Sequence, residues 1–273
     1  MTPLFLIGRQ RSGTSALREA IKHHGPFRCD GETLNSKVCD KALNFYCFLD
    51  RQSSGAVARP HQRMDQFSAF LRHVYDDVLP RDHDLLVDLK YDQSNGLDAN
   101  WNLPDRPPRI IARLVAENWP VIHLVRRNKL AQIVSFEKAR KTDQWALRTG
   151  KARADARVWL NPDTLIYRIE TEMARNQAFA DFLANHDRIV TLTYEDLFLP
   201  GSNRVAEPAV DAIDALLPAD RRLHRPVETW LVKQARDFMA DIVNEAEVRS
   251  VLEASPHAWM IPNDTMAERA ARV

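Results

Sequence analysis

Gly8-Arg9-Gln10-Arg11-Ser12-Gly13-Thr14-Ser15 places two glycines, two guanidiniums and three hydroxyls in eight consecutive positions. Those residue types grip anions. The apolar run Leu4-Phe5-Leu6-Ile7 before them reads as a buried strand that breaks at Gly8. Ser15 to His24 reads as a helix, with Ala16, Leu17, Ala20 and Ile21 on one face and Gly25-Pro26 as its stop signal. A strand, a glycine-bounded turn and a helix make a phosphate cradle. Consecutive amide N–H groups and the positive end of the helix dipole point into such a turn.

The spacing Gly8-x4-Gly13-Thr14-Ser15 is one residue away from the nucleotide-binding loop G-x4-G-K-[ST]. Thr14 stands where the lysine that bridges the β- and γ-phosphates belongs. Arg11 is the nearest replacement cation. A second candidate anion site lies in His123-Leu124-Val125-Arg126-Arg127-Asn128, an arginine pair closing an apolar run, with Ser135 two turns into the next helix. Two separated anion sites suit a nucleotide with phosphates at both ends. Each segment also has a plain structural reading, a glycine turn in the first case and a solvated charge cluster in the second.

Other apolar runs mark the elements that position these residues. Strands are expected at 85–89, 120–125 and 188–193, and helices at 64–79, from Pro107-Pro108 onward, and at 129–140, 162–184, 208–217 and 227–253. Residues 36–50 have helical composition, 51–63 read as loop, and Phe27-Arg28 opens a short polar segment. Alternating strands and helices predict an α/β fold: a P-loop-like three-layer sandwich with a central parallel sheet and helical insertions. Ligands bind such sheets at the carboxyl ends of the strands. The glycine loop, Lys90, Arg126-Arg127 and Tyr194-Glu195 all follow predicted strands. Trp145 and Trp159 read first as packing residues.

The 273 residues accommodate one large domain, 1–273, with variable segments at 33–83 and 141–161. A net charge of +1 excludes general attraction to polyanions or membranes, so any basic site must be local. No nucleic-acid module is recognisable. No run of 18 apolar residues predicts a membrane span, and the first apolar run reads as a strand rather than a leader. Cys29, Cys39 and Cys47 are odd in number and lack metal-ligand spacing, which suits reduced thiols in a cytoplasm. A homo-oligomer is compatible with all of this.

Gly8 to Ser15 resembles the 5′-phosphosulfate loop of sulfotransferases that use 3′-phosphoadenosine 5′-phosphosulfate (PAPS). Leu124-Val125-Arg126-Arg127-Asn128 through Ser135 resembles their 3′-phosphate motif. Gly31-Glu32-Thr33-Leu34-Asn35 is similar to a stretch of the bacterial carbohydrate sulfotransferases, the nodulation-factor and trehalose types. Lys90-Tyr91-Asp92-Gln93, Tyr194-Glu195-Asp196-Leu197 and Val243 to Val248 resemble further segments of that group, in the expected order over most of the chain. Gln10 departs from a common proline, and the C-terminal glycine-rich motif of the aryl branch is absent.

The resemblance implies PAPS as donor, 3′-phosphoadenosine 5′-phosphate (PAP) as product, a small-molecule or carbohydrate hydroxyl as acceptor, and no metal. It implies that Arg11, Ser12, Gly13, Thr14 and Ser15, assisted by Arg9, hold the 5′-phosphate end. Arg126 or Arg127, with Ser135, would bind the 3′-phosphate; Arg127 has the usual eight-residue offset to Ser135. Glu32 is the candidate general base, with Asp30 and His24 behind it. Lys90 is a candidate for the sulfuryl group or a simple partner of Asp92. Two other readings remain open: a P-loop kinase or NTPase needing Mg²⁺, and a non-catalytic PAPS- or PAP-binding protein on the same fold.

Overall fold

The structure is a computed structural model. It describes residues 2–37, 40–52, 62–98, 106–146, 156–231 and 238–262. These divide into two compact units, Met1–Arg126 with Asn176–Leu231, and Arg127–Arg175 with Val232–Val273.

The first unit is built on five parallel strands: β1 (Leu4–Gly8), β2 (Phe27–Arg28), β3 (Asp84–Lys90), β4 (Val121–Val125) and β5 (Ile189–Thr193). Their order in the sheet is β2-β3-β1-β4-β5. The central strand β1 pairs on one side with β3, Leu6 opposite Asp88 and Gly8 opposite Lys90, and on the other with β4, Gly8 opposite Leu124. A central parallel strand is covered on both faces, which is why every residue of β1 is buried and apolar or glycine.

Successive side chains of a strand point to opposite faces, and two separate cores follow from that alternation. Phe5, Ile7, Leu85, Val87, Leu89 and Val121 pack with α2 (Phe45–Gln52), α3 (Arg63–His73), α5 (Arg109–Ala116) and Phe179 and Leu183. Between them in the chain lies the single turn α4 (Tyr91–Ser94). Leu4, Leu6, Leu86, Ile122 and Leu124 pack on the other face with α1 (Thr14–His24) and, after the short turn α8 (Tyr194–Leu197), with α9 (Glu207–Asp214). Helices on both faces of a parallel sheet make the three-layer α/β sandwich expected from the alternating pattern.

The second unit contains α6 (Lys129–Thr142), the first residues of α7 (Pro162–Phe182) and α10 (Glu245–Glu253). Leu130, Ile133, Val134, Leu165, Ile169, Val248 and Leu252 share its core. A single parallel bridge joins Val158 to Ile242, and the Lys138 ammonium donates to Asp241 at 2.7 Å.

Several expectations need correction. Phe27-Arg28 is not merely a polar segment: it is the edge strand β2, paired with Asp84 and Leu85 of β3. Two residues are too few for a periodic signal. The helix expected over 227–253 is confined to Glu245–Glu253; Thr229 instead pairs with Asn203 through a 3.1 Å backbone bond, and 232–237 lie outside the described residues. Helical composition over 36–50 yields a helix only from Phe45. Within the segments 33–83 and 141–161, residues 38–39, 53–61 and 147–155 lie outside the described residues. The described part of 33–83 supplies Phe45, Phe48, Phe67 and Phe70 to the core. Trp159 is 58% exposed rather than packed, and Trp145, 43% exposed, lies edge-on to Phe136, ring centroids 5.9 Å apart, and donates to Asp143 at 3.0 Å. Among the described residues, no helix is long and apolar enough to cross a membrane.

Candidate functional site

All five strands of the first unit end on the same rim, since they run parallel. The glycine loop follows β1, Glu32 follows β2, Lys90 closes β3, Arg126 follows β4 and Tyr194 follows β5. This is the edge of an open parallel sheet where ligands are bound.

The loop from Arg9 to Gly13 is shaped from inside. Ser12 is fully buried, and both its N–H and its hydroxyl donate to the Arg9 carbonyl, the N–H at 3.2 Å. Arg11 has φ 65° and Gly13 φ 94°, both left-handed. Gly13 serves as N-cap of α1 with no side-chain cap, and no acidic residue occupies the first turn. The dipole at this helix end is therefore left positive by its own side chains. Close approach explains both glycines. A Cβ on Gly8 would stand 2.7 Å from the Leu124 carbonyl, and one on Gly13 would stand 2.5 Å from the Tyr194 ring.

Two guanidiniums meet at this turn. Arg126 donates through Nη1 to the Arg11 carbonyl at 3.1 Å and lies over the Tyr194 ring, 4.6 Å from its centroid. Burial, and then the charge of Arg126, push the Arg11 guanidinium down to about 10. Burial also lowers Arg126, against the pull of Tyr194 and Glu195. An arginine stays protonated at working pH, so both guanidiniums are charges held largely out of water, Arg11 beside a second one. A bound anion relieves the cost of that burial, so the loop fits a phosphate or phosphosulfate end. Arg9 is engaged differently, in an ion pair with Asp92 just after β3.

A second cluster surrounds Glu32. A parallel bridge sets Glu32 beside Asp88, and the Thr33 N–H donates to the Asp88 carbonyl at 3.1 Å. Lys90 is 2% exposed; its ammonium donates to Asp88 Oδ1 and stands 3.7 Å from Glu32 Oε1. Asp88 is wholly buried and takes a second cation, Arg18 of α1, at 2.6 Å. Lys90 thus pairs with Asp88 and Glu32, while the Asp92 suggested for it pairs with Arg9. Burial pushes the adjacent Cys29 thiol up to about 11, partly offset by the Arg18 charge. The cluster holds the Glu32 carboxylate at the rim, partly open to solvent, with its charge balanced by Lys90.

No family model matches the chain, and no curated protein matches it. Among solved structures it is similar to a sulfotransferase from Alicyclobacillus acidocaldarius, at 13% identity and a TM-score of 0.41, over 98% of this chain and 99% of that one.

The structure brings the glycine loop and Arg126 together, and Glu32 together with Lys90. Arg127 and Ser135 belong to the second unit, Arg127 exposed just before α6 and Ser135 half-buried within it. Asp30 is exposed and accepts from the Leu43 N–H at 3.2 Å. The His24 carbonyl accepts from the His224 N–H at 2.6 Å, and burial lowers its imidazole. Sequence reasoning gave no role to Arg18 or Asp88, and it named Gln93 and Tyr194 within motifs without the contacts they make. A charged residue inside the apolar run Leu85–Leu89 was the one available signal, at Asp88.

Proposed function

We propose that this chain is a PAPS-dependent sulfotransferase that moves a sulfuryl group to an alcohol, with a carbohydrate or glycolipid hydroxyl as acceptor. The observation that carries the reading is the pair Arg11 and Arg126 gathered at the uncapped start of α1, in a loop whose lysine position is Thr14. Such a loop supplies positive charge from arginine where nucleoside triphosphatases supply it from lysine and Mg²⁺.

When bound, PAPS supplies an activated sulfuryl group on a good leaving phosphate. The amides of Gly13, Thr14 and Ser15, with Arg11 and Arg126, would hold its 5′-phosphate end, and Ser12 keeps the loop in shape. Arg127 and Ser135 would take the 3′-phosphate. Sulfuryl transfer, like phosphoryl transfer, spreads charge over non-bridging oxygens, so catalysis is mostly positioning and electrostatics. Glu32 would accept the proton of the attacking hydroxyl, a contribution of roughly a hundredfold to ten-thousandfold in rate. Buried reduced thiols at Cys29 and Cys47 suit a cytoplasmic setting.

Calorimetric titration with PAP, ADP and ATP–Mg²⁺, the first two in EDTA, tests the reading. PAP binding more tightly than ADP, followed by PAP release from PAPS over a panel of mono- and disaccharides, is the expected result. Binding of ATP–Mg²⁺ without PAP binding replaces it with a kinase or NTPase. PAP binding with no turnover on any acceptor leaves a nucleotide-binding protein.

A further inference from the structure

Gln93 has one carboxamide and two neighbours that leave it a single orientation. Its Oε1 lies 3.2 Å from the Lys90 backbone N–H, and its Nε2 lies 2.6 Å from Glu32 Oε2. A backbone N–H can only donate, so the amide oxygen must face Lys90 and the amide NH₂ must face Glu32. Asn35 behaves the same way. Its Oδ1 accepts from the Lys37 N–H at 3.0 Å, which turns its Nδ2 toward Glu32 Oε2 at 3.2 Å. Glu32 Oε2 therefore sits between two side-chain amide donors. Glu32 Oε1 faces the Lys90 ammonium at 3.7 Å, and Asp88 anchors that ammonium with Arg18 behind it at 2.6 Å. The Glu32 side chain stays 22% exposed.

We infer that Gln93, aided by Asn35, is a positioning residue for Glu32: it holds Oε2 as a hydrogen-bond acceptor and leaves Oε1 as the oxygen that takes the proton of the acceptor hydroxyl. This rests on the reading of Glu32 as general base. In the step it serves, the hydroxyl O–H bond breaks and its proton goes to Glu32 Oε1. The hydroxyl oxygen bonds to sulfur, and the bond from sulfur to the 5′-phosphate oxygen breaks with its electron pair leaving on PAP. Lys90 keeps its proton throughout and balances the carboxylate.

A carboxamide that only capped α4 through the Lys90 N–H would tolerate glutamate, which keeps an oxygen there. Gln93→Glu instead turns a carboxylate toward Glu32 Oε2. The swap Glu32→Gln/Gln93→Glu, made with Asn35→Ala so that no second amide donor meets the new amide, restores one amide facing one carboxylate with the roles exchanged. Thermal melting, PAP affinity and PAP formation from PAPS, with water or the best saccharide of the panel as acceptor, separate the possibilities. The inference expects Gln93→Glu to melt several degrees lower, bind PAP within about twofold of wild type and form PAP at least about tenfold more slowly. It expects the swap to recover the melting temperature of Asn35→Ala alone and remain as slow as Glu32→Gln. Should Gln93→Glu not fold alone, the swap carries the test.

Wild-type turnover by Gln93→Glu, or a swap that does not regain stability, overturns the inference while leaving the proposed reaction standing. A Glu32→Gln variant as fast as wild type overturns the base assignment, and the inference with it.

Discussion

Arg126 lays its guanidinium on the face of Tyr194, 4.6 Å from the ring centroid, and so joins the end of β4 to the end of β5. The other side of the relationship is Gly13, whose missing Cβ makes room for the same ring. Tyr194 is thus a wall of the glycine loop.

Gly13→Ala places a side chain at φ 94° and 2.5 Å from that wall. Backbone strain alone costs about 1–3 kcal/mol, and the clash adds to it. Urea unfolding is expected to show the loss, with weaker PAP binding beside it. Adding Tyr194→Ala should recover only the part due to the clash.

Arg126→Ala and Arg127→Ala should differ in kind. Arg126 contacts the loop itself, so its loss is expected to weaken PAP and ADP alike, by about ten- to a hundredfold for a charged hydrogen bond. Arg127→Ala is expected to weaken PAP and leave ADP unchanged. Calorimetry with both nucleotides checks this, and the reverse pattern exchanges the two assignments.

Asp88→Asn removes the one carboxylate that both Arg18 and Lys90 contact. Leaving buried charge uncompensated costs about 3–5 kcal/mol. The expected outcome is a marked fall in the urea midpoint with little change in slope. Leu6 packs in the same strand register and on the same face, yet Leu6→Val should cost only about 1–2 kcal/mol.

Cys29 makes a prediction for alkaline pH. Its thiol is pushed up to about 11 by burial, so the folded state keeps a proton that the unfolded chain releases earlier. Stability from this group is complete below the ordinary thiol range and falls as pH rises toward 11, by on the order of 2 kcal/mol. Unfolding measured from pH 8 to pH 11 should show the fall, and Cys29→Ala should flatten it. An unchanged slope in Cys29→Ala assigns the alkaline loss to other groups.

Much of the frame was legible from residue order alone. The runs at Leu4–Ile7, Leu85–Leu89 and Pro120–Val125 announce β1, β3 and β4, because strands covered on both faces are mostly apolar, and the β-branched run Arg188–Thr193 announces the edge strand β5. Gly8 and Gly13 announce the turn, because only residues without a Cβ fit their approach to Leu124 and Tyr194. The edge strand β2 was invisible because its two residues have no period.

The sequence by itself determined the alternation of strands and helices, the glycine-bounded, arginine-bearing loop at the end of the first strand, and the candidate charges near strand ends. Tertiary structure alone decided which of them meet. The order β2-β3-β1-β4-β5 sets Lys90 opposite Gly8 and Glu32 beside Asp88, although 56 residues separate that last pair in the chain. Sheet register is a long-range property, set by which apolar faces can be buried together. Whether Lys90 pairs with Asp88 or Asp92, and which amide holds Glu32, depends on angstrom-scale placement of polar groups that local sequence does not encode.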